Sequence, residues 1–399
     1  MNDKVVFLDI TNKCNLRCKH CYNSRYFFSD SNVEFCYKTF IQKVEQYNIS
    51  RIHILGGEPL LAKDLYEVLD YAKNKNITVS INTNGWFLNG NLFTKLSNYK
   101  NIDQITISID GGIEEENDAI RGIGTFKKVI KNLKECNRIS SHIRINIATV
   151  ITKNNIENID KIINLDVKYD CLMISLLFNE GQARLNFNDS FDYALFFRKI
   201  SILIDNLSLK NIMVQLDLKP IGYWWLMIML HRKLENDYYS EDCINEKLYY
   251  SANNKLYICN PSSFYKDKYE IKDNKTIEIR KFRCKKECFF NSICFLCEIN
   301  CETEKYNICD YVLNEIENNF KKIIHKKILI DSKYMFMNFN GNSVFVNFMS
   351  GAKYIISSEK CGDLYDISNV YNQCDKIEKR KYRTIITGLY VSGQIGVEL

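Results

Sequence analysis

The sequence predicts an α/β fold with a mainly parallel sheet, followed by a cysteine-rich region and a small α+β region. Short β-rich runs alternate with helical stretches from residue 4 to about 180, a pattern typical of βαβ units in either a barrel or an open sheet. Eight of the 16 cysteines fall within residues 243–309. Two further β-rich runs flank Asn340-Gly341, which is a strong hairpin signal.

The elements of the first region follow in order from the hydrophobic periodicity. The six strand-like runs are VVFLDI at 5–10, RIHIL at 51–55, ITVSIN at 77–82, QITISI at 104–109, RINIATVI at 144–151 and CLMISLLF at 171–178. The helical stretches lie at about 34–48, 62–74, 91–98, 125–138, 155–164 and 190–207. We therefore divide the chain into a barrel-like domain at 1–207, a bridging segment at 208–242, a cysteine-rich domain at 243–309 and a C-terminal domain at 310–399.

For the C-terminal domain, the sequence predicts a helix, a hairpin and two more helices. The helix covers about 311–325, the hairpin is YMFMNF and SVFVNF around Asn340-Gly341, and KYII at 353–356 adds a third strand. Helical stretches follow near 359–373 and 376–391.

Composition excludes several classes of protein. A net charge of +6 over 399 residues gives no basic stripe, so we expect no nucleic-acid partner. The longest apolar run, residues 221–230, is too short for a membrane span. The N-terminus has no signal peptide, so we expect a cytoplasmic protein with reduced thiols. The isolated cysteines are expected to be small buried apolar residues; they are Cys36, Cys136, Cys171, Cys361 and Cys374.

Three cysteines share one segment directly after the first predicted strand. Residues 11–22 read TNKCNLRCKHCY and place Cys14, Cys18 and Cys21 in a C-x3-C-x2-C spacing. Three thiolates can hold three irons of a [4Fe–4S] cube and leave the fourth without a protein ligand. An open position is what catalysis at a metal requires. Zinc is the alternative, with His20 as an available ligand, although we expect His20 to face solvent.

This segment resembles the signature of the radical S-adenosylmethionine (SAM) enzymes, in which an aromatic residue, here Tyr22, follows the third cysteine. Further family motifs end successive strands: Gly56-Gly57-Glu58-Pro59, then Thr83-Asn84-Gly85, then Ser108-Ile109-Asp110-Gly111. Residues 118–126, DAIRGIGTF, match the family's D-x-x-R-G-x-G-x-F pattern and supply Arg121. The resemblance covers about residues 4–185 and implies a partial (β/α)6 TIM-like barrel.

The resemblance also implies how SAM binds beside the [4Fe–4S] cluster of Cys14, Cys18 and Cys21. The Gly-Gly-Glu-Pro element meets the methionine amino group in the family, and Glu58 offers a carboxylate for it. Ser108 and Asp110 share one strand face, so both are expected to reach the ribose diol. Arg121 supplies a guanidinium suited to a carboxylate. The implied SAM-binding residues are Tyr22, Gly56, Gly57, Glu58, Pro59, Asn84, Ser108, Asp110 and Arg121; the sequence marks no catalytic acid or base.

The later cysteines resemble the SPASM extension of peptide- and protein-modifying radical SAM enzymes. Carried over by position, Cys284, Cys288, Cys294 and Cys309 would hold one auxiliary [4Fe–4S] cluster. Cys243, Cys259 and either Cys297 or Cys301 would hold a second one. The sequence departs from the pattern in that Asn254 replaces a glycine, two spacings differ and Cys301 is extra. Zinc, which also favours four-thiolate sites, is the alternative.

The last region resembles the winged-helix domain that binds leader peptides by strand addition to a sheet edge. A helix-rich cap that covers the auxiliary domain is the alternative interpretation of residues 310–399.

These resemblances together imply a SPASM-type radical SAM peptide maturase. An electron donor such as ferredoxin or flavodoxin would drive reductive cleavage of SAM to a 5′-deoxyadenosyl radical. The radical would take hydrogen from a ribosomally made peptide or small protein, giving a crosslink, an epimer or an oxidised residue. The alternatives are an anaerobic sulfatase-maturing (formylglycine-generating) enzyme and a non-catalytic zinc- or cluster-binding peptide scaffold. No membrane partner is expected.

Overall fold

A computed structural model describes most of the first 259 residues and shorter stretches of the remainder. The described residues are 3–26, 34–178, 180–187, 191–218, 220–230, 247–259, 270–272, 281–283, 295–297, 308–325, 327–330, 334–339, 342–347, 353–357, 364–366, 371–372, 376–391 and 395–397. The chain divides into two compact units. Residues 1–217, 237–280 and 297–306 form the first, and residues 218–236, 281–296 and 307–399 form the second.

A nine-stranded sheet is the centre of the first unit. Its strands are β1 (Lys4–Asp9), β2 (Ile49–Leu55), β3 (Thr78–Thr83), β4 (Ile102–Ser108), β5 (Arg144–Ile151), β6 (Cys171–Leu176), β7 (Met213–Asp217), β8 (Lys247–Tyr250) and β9 (Leu256–Tyr257). They lie in the order β7-β6-β5-β4-β3-β2-β1-β8-β9. Neighbours from β7 to β8 are parallel, and β9 returns antiparallel to β8.

This topology confirms the predicted partial barrel. All six predicted strands are present to within two residues at either end. The order ends at β7 on one side and β9 on the other, and no pairing joins these two edges in the described residues. β7 lies within the predicted bridging segment, so the parallel sheet continues one strand further than the periodicity indicated.

Helices connect the parallel strands. They are α1 (Tyr37–Val44), α2 (Leu65–Asn74), α3 (Gly90–Ser97), α4 (Glu114–Arg121), α5 (Thr125–Cys136), α6 (Gln182–Asn186) and α7 (Tyr193–Leu209). Short 3-10 helices cover Tyr22–Tyr26, Pro59–Leu61 and Ile159–Asn164. The last of these is shorter than the helix predicted at 155–164, because the Asn155 amide donates to the carbonyls of Asp110 and Val150 and holds its segment as a turn.

Alternation along the strands gives the sheet one apolar face and one more polar face. The fully buried side chains of the apolar face include Val6, Leu8, Ile52, Ile54, Val79, Ile81, Ile105 and Ile107. The opposite face carries Phe7, His53 and Ser80 side by side on β1, β2 and β3. The His53 ring stacks on Phe7 at 4.7 Å between centroids and its Nδ1 shares a hydrogen bond with the Ser80 hydroxyl. Burial lowers the pKa of His53 to about 4.

The remaining elements are α8 (Pro220–Leu230), β10 (Lys281–Arg283), β11 (Phe295–Cys297), α9 (Ile308–Ile323), β12 (Lys327–Ile330), β13 (Tyr334–Phe339), β14 (Asn342–Asn347), β15 (Lys353–Ser357), β16 (Leu364–Asp366), α10 (Lys376–Val391) and β17 (Ile395–Val397). β13, β14 and β15 form an antiparallel sheet, which confirms the predicted hairpin and third strand. β12 pairs with β16 and β17. Helix α9 packs against α8 and α10.

One predicted helix of this region is wrong. The stretch at 359–373 contains β16, which pairs antiparallel with β12 from Lys327↔Asp366 to Leu329↔Leu364. The pairing of Leu-Tyr-Asp with an apolar partner strand outweighs the helical pattern of the local sequence. None of the helices in the described part of the chain is long and apolar enough to cross a bilayer.

Candidate active site

The loop that follows β1, residues 10–22, carries Cys14, Cys18 and Cys21 and is called the cysteine loop below. All three thiols are partly exposed. Burial raises the pKa of all three, to about 11 for Cys18 and about 12 for Cys21. The free thiols are therefore protonated at neutral pH, and a bound metal takes the place of their protons.

The end of β2 supports the first part of the cysteine loop. The backbone N–H of Gly57 donates to the Thr11 carbonyl at 2.7 Å, and that of Glu58 donates to the Lys13 carbonyl at 2.8 Å. A Cβ on Gly57 would lie 2.4 Å from the Lys13 oxygen. Only glycine permits this approach of two backbones, so the Gly56-Gly57 pair has a structural reason that is independent of any ligand.

Glu58 joins the end of β2 to the end of β3. Its side chain is fully buried, and Oε1 accepts from the Thr83 hydroxyl at 2.6 Å and the Leu60 N–H at 3.1 Å. Oε2 accepts from the backbone N–H of Asn84 at 2.8 Å. Burial raises the pKa of this carboxyl. Three donors of the chain itself thus contact the carboxylate that the family resemblance assigns to an ammonium.

The end of β3 supports Cys14. The Asn84 side chain donates to Asn15 Oδ1 at 2.9 Å and to Cys14 Sγ at 3.9 Å. The backbone N–H of Leu16 donates to the same sulfur at 3.4 Å. Two N–H groups therefore point at this thiol, an arrangement that stabilises a metal-bound thiolate.

The end of β4 supports Cys18 and His20. Asp110 is 0% exposed; its Oδ2 lies 2.5 Å from His20 Nε2 and 2.6 Å from Arg121 Nε, and its Oδ1 accepts from the Val150 N–H at 2.8 Å. Burial would raise the pKa of Asp110, but Arg121 and His20 hold it well below its usual range. Arg121 Nη1 donates to Cys18 Sγ at 3.9 Å. Partly buried Ser108 ends β4, two residues before Asp110.

The segment after β6 supports Cys21. The Gln182 N–H donates to the Cys21 carbonyl at 3.0 Å. Gly181 has φ +61°, and a Cβ there would lie 2.5 Å from the Cys21 oxygen. The Tyr22 ring meets the edge of Phe178 at 6.4 Å between centroids. The ends of four parallel strands therefore hold four successive parts of one loop.

This environment fits an iron–sulfur cluster. Two of the three sulfurs receive N–H donors, and the loop lies at the carboxyl ends of the strands, where barrels of this kind place their chemistry. Among the described residues, no three His, Cys, Asp or Glu side chains are arranged to hold one metal ion. A cube differs from a single ion because each of its irons takes its own thiolate.

The structure brings together residues that the sequence placed apart and corrects one expectation. His20 does not face solvent: its side chain is 10% exposed and bound to Asp110. A group of hydrogen-bonded side chains around Asp9 was not anticipated from the sequence. Asp9, at the end of β1, accepts from the Asn23 amide at 3.1 Å and from the Tyr249 hydroxyl. An aspartate at a strand end, next to the cysteine motif, is the only sequence signal that pointed to it.

The auxiliary cysteines are described in part. Cys259 follows β9 and is partly exposed, Cys309 is buried near the start of α9, and Cys297 ends β11. Cys243, Cys284, Cys288, Cys294 and Cys301 lie outside the described residues.

The isolated cysteines differ from one another. Cys136 and Cys171 are buried as expected, whereas Cys36 is exposed at the start of α1, so that expectation is wrong for Cys36. Cys361 and Cys374 lie outside the described residues.

Comparisons with known proteins agree with this geometry. Residues 8–165 match the family model of the radical SAM superfamily. Mycofactocin maturase MftC of Mycobacterium tuberculosis is 31% identical over 163 residues, which are 40% of this chain and 41% of MftC. Pre-heme d1 synthase of Dinoroseobacter shibae is 28% identical over 205 residues, half of each chain. This chain thus spans only about two fifths to one half of these relatives.

A likeness to solved structures supports the fold. SuiB of Streptococcus suis bound to S-adenosylmethionine superimposes with a TM-score of 0.52 at 19% identity, covering 69% of this chain and 63% of SuiB. SuiB has also been solved bound to its precursor peptide SuiA, with the same TM-score. Residues 8–165 thus match the radical SAM family model, and the fold around them is shared with SuiB.

Proposed function

We propose that this protein is a radical SAM enzyme that modifies a ribosomally made peptide. The observation that carries the proposal is the cysteine loop, whose three thiols are held at the carboxyl ends of the strands with N–H donors on two sulfurs. Cys14, Cys18 and Cys21 would hold a [4Fe–4S] cluster. When bound, this cluster and SAM supply a reductive cleavage that yields methionine and a 5′-deoxyadenosyl radical, which takes hydrogen from the substrate.

The chain's own residues prepare this site in three ways. The backbone of Gly57 and Glu58 fixes the start of the loop, Asn84 fixes Cys14, and Gly181 leaves room for Cys21. Buried Asp110 keeps Arg121 charged and oriented. A fixed guanidinium is suited to the carboxylate of SAM, and partial burial of the loop restricts the access of water.

A peptide substrate is supported by the relatives and by the C-terminal sheet. MftC, with 31% identity, is named a maturase, and SuiB, which shares the fold alone, binds a precursor peptide. β13, β14 and β15 form a three-stranded antiparallel sheet with two edge strands. A leader peptide would add a strand to such an edge. The electron would come from a ferredoxin or flavodoxin.

A tetrapyrrole substrate is the second candidate. The match to pre-heme d1 synthase covers 205 residues, more than the 163 residues matched in MftC, at a similar identity. Both candidate reactions use the same SAM site, and they differ in the substrate that binds beside it.

Anaerobic turnover tests the reaction. The reduced, reconstituted protein is expected to convert SAM into 5′-deoxyadenosine and methionine, measured by liquid chromatography. Cys14→Ala should abolish both products, whereas Cys36→Ala, at an exposed cysteine directly before α1, should leave them unchanged. Retention of cleavage by Cys14→Ala would refute the proposal.

The substrate class needs a second experiment with two probes. The wild-type protein is incubated with SAM and either iron coproporphyrin III or the product of a short open reading frame adjacent to its gene. A mass change in the peptide alone supports the first candidate. A mass change in the tetrapyrrole alone refutes it in favour of the second.

A further inference from the structure

We propose that Asp110 is a positioning residue that binds His20 of the cysteine loop and holds Arg121 against that loop, and that the Arg121 guanidinium raises the reduction potential of the cluster bound there. The inference rests on the proposed function, because it requires a cluster at Cys14, Cys18 and Cys21. It gives Asp110 a different role from the ribose contact that the sequence implied.

Asp110 contacts groups from three separate parts of the chain. His20 belongs to the cysteine loop, Arg121 ends α4, and Val150 lies on β5. The carboxylate is fully buried, and the backbone around it is fixed as well, since the Asp110 N–H donates to Asn117 Oδ1 at 3.0 Å. Because Asp110 has no exposed surface, a ribose diol would reach its carboxylate only if one of the surrounding groups moved. The carboxylate is therefore placed to orient chain groups rather than a ligand.

Arg121 uses two sides of its guanidinium. Nε faces Asp110 at 2.6 Å, and Nη1 faces Cys18 Sγ at 3.9 Å. Its side chain is only 8% exposed, so solvent screens this charge weakly. The planar fork of arginine permits both contacts at once, which lysine does not reproduce.

The position of this charge has an electrochemical consequence. Reduction adds one negative charge to a cluster, and hydrogen bonds to its sulfurs together with nearby positive charge stabilise the reduced form. Arg121 supplies both at Cys18. Its neutralisation should therefore make the cluster harder to reduce.

His20 attaches the loop itself to the same carboxylate. It lies between Cys18 and Cys21, and the neighbouring Lys19 N–H donates to the Ile120 carbonyl at 2.9 Å, one residue before Arg121. The Cys18–Cys21 segment is therefore tied to the end of α4 by a backbone hydrogen bond and to Asp110 by the imidazole.

The test is an EPR-monitored redox titration of the reconstituted full-length protein without SAM. The signal of the N-terminal cluster is the part that is lost in the variant Cys14→Ala/Cys18→Ala/Cys21→Ala. Arg121→Gln is expected to shift the midpoint potential of this signal to a more negative value. Arg121→Lys, which keeps the charge without the fork, should fall between Arg121→Gln and the wild type.

Arg51→Gln is the matched control. Arg51 forms a bidentate ion pair with Asp103, with both N–O distances at 2.9 Å. The two residues lie on β2 and β4 of the same sheet, near the starts of these strands. Its removal should leave the potential unchanged. A shift in Arg121→Gln no larger than in Arg51→Gln overturns the role of Arg121.

Asp110→Asn separates positioning from ribose binding. Positioning predicts altered EPR line positions without SAM, whereas a ribose contact leaves the SAM-free signal unchanged and overturns the proposal. Since Asp110→Asn leaves a buried arginine unpaired and risks misfolding, Asp110→Asn/Arg121→Gln removes both charges together. In the Arg121→Gln background, adding Asp110→Asn should shift the midpoint potential by less than Arg121→Gln shifts it from the wild type. A larger shift overturns the proposal.

A wrong cluster assignment and a wrong role for Asp110 and Arg121 give different results. If the triple cysteine variant keeps the EPR signal of the wild type, the cluster assignment itself is wrong. If that signal is lost while Arg121→Gln and Asp110→Asn behave like the wild type, only the positioning inference is wrong.

Discussion

Gly181 lies so close to the cysteine loop that a larger residue has no space there. Its φ is +61°, and an added Cβ would lie 2.5 Å from the Cys21 carbonyl oxygen. Gly181→Ala should therefore destabilise the fold by about 1–3 kcal/mol through its positive-φ backbone alone, with a further loss from the clash. Reduced iron content per chain and a lower Tm are expected.

Gly90→Ala is the control for this substitution. Gly90 begins α3, and an added Cβ there would have its nearest neighbour at 3.4 Å, an ordinary contact. Alanine favours helix more than glycine does, so the Tm of Gly90→Ala should equal or exceed that of the wild type. An unchanged iron content in Gly181→Ala would contradict the role of this close contact in positioning Cys21.

His53 should make stability depend on pH below neutrality. Burial lowers its pKa from 6.5 to about 4, so the unfolded chain binds more protons than the folded chain between these values. Stability is then full above pH 6.5 and falls by up to about 3 kcal/mol as the pH decreases toward 4. Anaerobic thermal melts of wild type and His53→Gln from pH 7 to 4.5 measure this term.

The variant should show a weaker dependence of Tm on pH than the wild type, because glutamine does not titrate. Parallel pH profiles for the two proteins would show that His53 titrates normally and that its contact with Ser80 does not depend on the neutral ring.

Individual site residues were predictable where a local motif carries them. Cys14, Cys18 and Cys21 follow from spacing alone, and Gly57 from the backbone approach it permits. His20 was not, because its partner Asp110 is 90 residues away in the chain. No periodicity or spacing within the loop reports a contact of that kind.

At the scale of elements, the turn between β8 and β9 depends on Asn254. This residue has φ +61°, a left-handed conformation that asparagine tolerates. Its amide accepts from the Cys36 N–H and donates to the Glu34 carbonyl, both at 2.8 Å. The turn is thereby attached to the segment before α1.

Two substitutions at Asn254 should separate these contributions. Asn254→Gly keeps the backbone conformation and loses the side-chain hydrogen bonds, at about 1 kcal/mol each. Asn254→Ala loses the side-chain hydrogen bonds and also disfavours the left-handed backbone. It should therefore be less stable than Asn254→Gly by about 1–2 kcal/mol. Denaturant titration of both variants ranks them, and equal stabilities would contradict the strain at this position.

Strands were easier to predict than helices in this chain. The six strands alternate clearly, whereas α4 was not predicted because its buried face contains Asn117 and Arg121 beside Ile120. A helix that buries polar groups for a site lacks the apolar periodicity that identifies helices. β16 was mistaken for helix since its partner β12 lies more than thirty residues earlier.

At the scale of the whole molecule, the cysteine assignments from the sequence imply three clusters. We expect about twelve irons per chain, as three cubes of four, with an equal amount of sulfide. Cys309→Ala should lower this to about eight, because buried Cys309 is assigned to one auxiliary cluster, while Cys171→Ala in the core of β6 should not. Zinc without sulfide would contradict the auxiliary assignment.

The partial barrel could be predicted from alternation along the chain, and its site from motifs at the strand ends. The strand order through β8 and β9 could not, since β8 pairs with β1 from more than 240 residues away and β9 pairs with β8. The arrangement of the auxiliary cysteines was also beyond the sequence, because bound clusters rather than apolar patterning would determine it.

The proposed reaction requires SAM to bind an iron that no side chain of this chain occupies. Electron–nuclear double resonance of the reduced protein with carboxylate-¹³C-labelled SAM tests it directly. A ¹³C coupling to the cluster is expected in the wild type and should vanish in Cys14→Ala/Cys18→Ala/Cys21→Ala. A wild-type cluster without any coupling to bound SAM would contradict the account.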